Sequence, residues 1–211
     1  MTRNPLRQAE ENNPHGVGSL TDTQVSAFTA TVNYMRLVIP DAFGLEWNDA
    51  VFSGGGYVVT ELPRSSGGYF GGYRGVRKIE NGYAVMSGDE RRYEGTSVTF
   101  SRFQDAVKGY VAGVTGSFRM HRSGRHLGYV EWMWNGTTGP GVVTESLNPP
   151  YDTDFRFYLR DDPSIWLEGR RSGAALSHGL GMSMSAFIAA VVDHPKVTGK
   201  DATAWPKPVL P

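Results

Sequence analysis

Glu131 is the carboxylate best placed for proton chemistry. Leu127, Tyr129 and Met133 stand at alternate positions around it and would share its face of a strand. Burial on such a face raises a carboxyl pKa and makes the group a proton donor. Glycoside hydrolysis needs a second carboxylate about 5–9 Å away. Glu145, Glu168, Asp161 and Asp162 are available, Glu145 being the nearest in sequence, but no spacing singles one out. A structural ion pair with arginine is the competing reading of Glu131. His121 and His126 are two imidazoles where a zinc site requires three or four ligands. Arg119, Arg122 and Arg125 lie among them and oppose a cation, so no metal or cofactor is expected. The same basic cluster can touch phosphate. A chain with 21 basic and 21 acidic residues does not read as a nucleic-acid binder, however.

The run Glu131-Trp132-Met133-Trp134 resembles the nucleophile strand of β-jelly-roll glycosidases. That resemblance implies a carbohydrate-active β-protein, either a glycan binder or a hydrolase using Glu131. The helix-forming C-terminal part of the chain departs from it. Tyr69, Tyr73, Trp132 and Trp134 would supply an aromatic platform for sugar, although aromatic residues on half-buried strands ordinarily form core. Gly54-Gly55-Gly56 and Ser66-Gly67-Gly68 are not followed by Lys-Ser/Thr, which removes the phosphate-loop reading. His178-Gly179-Leu180-Gly181 lacks the serine of a nucleophile elbow, so Ser177 and Ser183 read as turn and cap residues.

The elements that must position these side chains follow from periodicity. Gly116 to Trp134 reads as a hairpin turning at Ser123-Gly124, with Phe118 and Met120 on one face and Arg119 and His121 on the other. Its returning strand is apolar on both faces, as in a strand covered from two sides. Thr21 and Gln24 spell a capping box, with Leu20 and Val25 as its hydrophobic staple. Val25, Phe28, Val32 and Met35 then predict a helix ending near Leu37, before Pro40. Asn81-Gly82 predicts a type I′ turn between Val76–Ile79 and Tyr83–Met86. A second helix is expected from Ser101, capped with Gln104. Strands are expected at Tyr57–Leu62, Val142–Leu147, Asp154–Arg160 (Phe155, Phe157 and Leu159 alternating against Arg156, Tyr158 and Arg160) and Ile165–Glu168, and a last helix at Met184–Asp193. The fold class is α+β: a β-rich, mainly antiparallel sheet or barrel-like sandwich with about three helices.

Length and composition bound the function. A chain of 211 residues with 27 glycines, 12 prolines and 25 aromatic residues suits one folded, turn-rich body, expected over 20–195. The absence of cysteine excludes disulfides and thiolate chemistry and fits synthesis in a reducing cytoplasm. No run of 18 apolar residues is present, so no membrane insertion is expected. Residues 1–19 and 196–211 are proline-interrupted arms without the pattern to build a core of their own. Chain ends are ordered only where something ties them down, and neighbouring subunits are the expected clamp. The chain is therefore expected to be a non-enzymatic structural subunit of a large oligomer, most plausibly a virus or phage particle component (capsid, tail or joining protein). Its partners would be copies of itself and neighbouring assembly proteins, held through the arms.

Overall fold

The computed structural model describes residues 20–38, 50–53, 57–62, 72–89, 92–123 and 137–192. Both arms lie outside these residues, as do Tyr69, Arg125, His126, Glu131, Trp132 and Trp134. The fold is α+β, and every strand pairing of described register is antiparallel. The chain divides into two compact units, Met1–Ser97 and Val98–Pro211.

In the first unit, helix α1 (Asp22–Val38) begins at the capping box expected from the sequence. The Gln24 amide N–H donates to Thr21 Oγ1 at 3.2 Å, and the Thr21 N–H to Gln24 Oε1 at 2.9 Å. Two otherwise orphaned donors are thereby satisfied reciprocally. Phe28, Val32 and Met35 are fully buried along one face. Thr29 and Thr31 fold their hydroxyls back onto the carbonyls of Val25 and Ala27, which accommodates threonine within the helix. Strands β1 (Ala50–Ser53), β2 (Tyr57–Leu62), β3 (Gly72–Ile79), β4 (Gly82–Asp89) and β5 (Arg92–Phe100) lie in the order of their numbering. The β3–β4 hairpin forms where expected, but its turn is centred on Glu80-Asn81, with Ile79 opposite Gly82. Gly82, at φ 151°, supplies the glycine-only conformation from the first position of β4 rather than from the turn centre.

In the second unit Val98–Phe100, the end of β5, pair with β8 (Asp162–Arg170), and the order continues through β7 (Asp154–Leu159) to β6 (Val142–Ser146). Helix α2 (Phe103–Ser123) follows β5, and α3 (Gly173–Leu176), a 3-10 turn (Ser177–Gly181) and α4 (Met184–Val192) follow β8. The core gathers Phe100, Val107, Tyr110, Val111, Phe157, Leu167 and Phe187.

Two expectations are corrected here. Gly116–Ser123 is the second half of α2, not the first strand of a hairpin. Burial of nearly every residue from Asp105 to Thr115 outweighs the cost of about 1 kcal/mol for each interior glycine, and four alternating residues are too few to define a strand. Ser101 is not the cap of α2. Its N–H and hydroxyl reach the Trp166 carbonyl, its Oγ accepts the Trp166 N–H, and the helix starts behind the Arg102 carbonyl.

Candidate functional site

One group of described residues that combines partial exposure with chemical character lies on the outer face of β6–β8. Period-two alternation puts Phe157 and Leu167 into the core of the second unit. Arg156 and Tyr158 of β7, with Trp166 and Glu168 of β8, therefore point the other way. Register sets Arg156 opposite Glu168 and Tyr158 opposite Trp166. Arg156 Nε donates to Glu168 Oε1 at 2.7 Å, and Nη2 reaches the same oxygen. The guanidinium carbon also stands 5.3 Å from the centre of the Trp166 ring, a cation–π contact made along the diagonal. The Arg156 side chain is 41% exposed and that of Glu168 27%, so water screens the pair and its value is about 1 kcal/mol or less. Its main effect is to hold the arginine in one orientation.

Register also places Arg156 opposite Glu145 of β6. The arginine is committed to Glu168, and Glu145 lies exposed with no ion-pair partner among the described residues. Register puts Glu168 in the same cross-strand row, with Arg156 between the two carboxylates, and Glu131 lies outside the described residues.

Strand β6 is an edge within the described residues, pairing with β7 alone. The Leu147 N–H bonds the Asp154 carbonyl and the Arg160 N–H the Gly141 carbonyl, so odd-numbered residues of β6 turn their backbone groups toward β7. Thr144 and Ser146 accordingly turn theirs outward. The strand is fixed at both ends. Asn148 Oδ1 accepts the N–H groups of Thr153 and Asp154, closing the β6–β7 loop. At the other end, the Gly139 N–H donates to Ser177 Oγ at 2.8 Å, and His178 Nε2 donates to the Thr137 carbonyl at 3.0 Å. Burial lowers the pKa of His178, opposed by that same bond to Thr137.

The 3-10 turn that grips residues 137–139 is itself held from α2. Lys108 Nζ, 4% exposed, donates to Asp105 Oδ1 at 2.7 Å, to the Gly179 carbonyl at 2.7 Å and to the Met182 carbonyl at 2.6 Å. Asp105, 1% exposed, also accepts Arg102 Nε at 2.6 Å, while Arg102 Nη2 reaches the Leu180 carbonyl at 3.0 Å. All three ammonium protons are thus used, and the cluster ties the helix to the turn. Ser177 and His178 do not form a nucleophile–base pair in this arrangement. The serine hydroxyl gives its proton to the Ala174 carbonyl at 2.6 Å, not to an imidazole.

Of the residues singled out from the sequence, Glu145 and Glu168 join this face. Arg119, His121 and Arg122 fall in the last turns of α2, and Tyr73 lies on β3 opposite Glu61 and Gly88. Arg156, Tyr158 and Trp166 were missed as a group, although alternation across Asp154–Arg160 marked the first two. Their cross-strand partners depend on register, which the Arg160-Asp161 turn and an irregularity beyond Tyr158 determine.

No described helix is long and apolar enough to cross a membrane. No protein-family model matches the chain, and no curated protein matches it. Among solved structures, Rv3902c from M. tuberculosis is similar over 83% of this chain and 90% of its own, with 15% identity and a TM-score of 0.49.

Proposed function

We propose that this chain is a non-enzymatic, protein-binding subunit of a larger assembly, and that the outer face of β6–β8 is where its second unit meets a partner protein. The observation that supports this reading is the preset cluster of Arg156, Trp166, Tyr158 and Glu168. Arginine, tryptophan and tyrosine dominate the energetics of protein interfaces. An arginine already fixed by a carboxylate and a ring loses little further freedom on binding, which lowers the cost of association. The narrower form of the proposal, a virus or phage particle component, rests on the terminal arms.

The test is size-exclusion chromatography with light scattering on the full chain, alone and with the proteins co-purified from its native source and identified by mass spectrometry. The expected result is a stable complex that Trp166→Ala weakens tenfold or more, with the fold retained by circular dichroism. A strictly monomeric chain at high concentration with those proteins present overturns the proposal, as does a complex indifferent to Trp166→Ala.

A further inference from the structure

Strand β6 is a short edge that pairs with β7 alone among the described residues, and Glu145 is its one charged side chain. Natural edges are protected by prolines, bulges or inward-pointing charges. Within Val142–Ser146 there is none of these; prolines stand only outside it, at Pro140 and Pro149. Val142, Val143 and Thr144 are all β-branched, which suits further pairing. The outward N–H groups of Thr144 and Ser146 have no partner among the described residues. Thr144 is itself exposed, although its side chain is on the face that carries Phe157.

Electrostatics narrows the occupant. A second copy of β6, paired antiparallel about Thr144, would set Glu145 diagonally across from its own counterpart, like charge near like charge. A foreign strand can instead place a basic residue there. In antiparallel addition Thr144 and Ser146 form the hydrogen-bonded pairs, and Glu145 occupies a non-hydrogen-bonded position. Side chains of opposed residues approach closest at such positions, with Cα atoms about 4.5 Å apart. A lysine or arginine opposite Glu145 would meet a carboxylate that Arg156 has left unpaired.

We infer that β6 receives an extended segment of the partner protein as an added antiparallel strand, with a basic residue opposite Glu145. This rests on the protein-binding function proposed above and supplies its recognition chemistry, backbone pairing for affinity and the Glu145 ion pair for register.

The probe is a capped nine-residue peptide of alternating valine and threonine with one central lysine, titrated into the full chain. Twins carry glutamate for the lysine, or N-methyl groups on the amides that would face β6. The lysine peptide is expected to slow hydrogen exchange at the Thr144 and Ser146 amides and to bind about fivefold more tightly than the glutamate twin at low salt. Glu145→Lys should reverse that preference, and the N-methylated twin should not bind. Thr144→Pro, which removes an outward donor the protein does not itself use, should abolish binding while circular dichroism shows the fold kept. Absence of protection at these two amides, equal binding of the twins, or retained binding by the N-methylated peptide overturns the inference. If that happens while Trp166→Ala still breaks the native complex, the edge assignment fails and the protein-binding function stands. Loss of both effects removes both.

Discussion

Lys108→Met tests whether the buried charge cluster holds the second unit together. Methionine fills nearly the same volume, so no large cavity follows and the loss is electrostatic and hydrogen-bonding in origin. The substitution leaves Asp105 Oδ1 and the carbonyls of Gly179 and Met182 without a donor. Asp105 keeps Arg102 at 2.6 Å, which limits the damage to its carboxylate. Removing one member of a buried ion pair costs about 3–5 kcal/mol, where replacing both members is often close to neutral. Lys108→Met is therefore expected to cost about 3–5 kcal/mol, a large share of the roughly 5–15 kcal/mol that holds a typical domain. Arg102→Ala should cost about 1 kcal/mol, because that side chain is 32% exposed and screened. Asp105→Asn combined with Lys108→Met should lose clearly less than the two single losses added together. Urea unfolding followed by circular dichroism gives the free energies, and hydrogen exchange over 177–182 locates the effect. A Lys108→Met loss below about 1 kcal/mol with an unchanged denaturant slope would refute the reasoning, since water would then be reaching those carbonyls.

Two further predictions concern the clasp on residues 137–139. A methyl group at Gly139 would meet backbone atoms only, with His178 Cα at 2.7 Å, the Ser177 carbonyl oxygen at 2.8 Å and His178 N at 2.9 Å. Gly139→Ala should cost roughly 1–3 kcal/mol in urea unfolding, whereas Gly181→Ala, with open space around it, should cost much less; equal effects would reject the close-approach argument. His178 has its folded-state pKa lowered below the ordinary 6.5 by burial, so the folded chain binds fewer protons than the unfolded chain just below that pH. Its contribution is complete above pH 6.5, falls as pH drops toward the depressed value, and levels off once both states are protonated. His178→Gln should flatten the stability-versus-pH curve in that window, and identical slopes for the two proteins would contradict the assignment.

How much of this was legible in the sequence depended on the range of the determining interactions. The start of α1 was readable because Thr21 and Gln24 are three residues apart and serve each other. Ser101 and Gln104 have the same spacing and misled, because Trp166 sits 65 positions away and captures the Ser101 hydroxyl. Local chemistry had the β3–β4 hairpin right, yet strand register moved its turn one residue from Asn81-Gly82 to Glu80-Asn81. Phe118 to His121 alternates over too few residues to outvote the deeply buried helical turns that precede it. The functional face was half visible. Arg156 and Tyr158 showed on one side of an alternating strand, but the meeting of Arg156 with Glu168 and Trp166 belongs to pairing between strands. The Lys108 cluster was hidden for a similar reason, since two of its three acceptors are carbonyls more than 70 positions away.

The enclosure of the Lys108 amine also makes it a built-in clock. Acylating reagents attack the free, solvent-reached form of an amine, so this one should stay silent while the half-exposed Lys78 is tagged. Labelling at position 108 would then be timed by how often the α2 turn parts from residues 179–182, and mass spectrometry could follow those excursions in the unaltered chain.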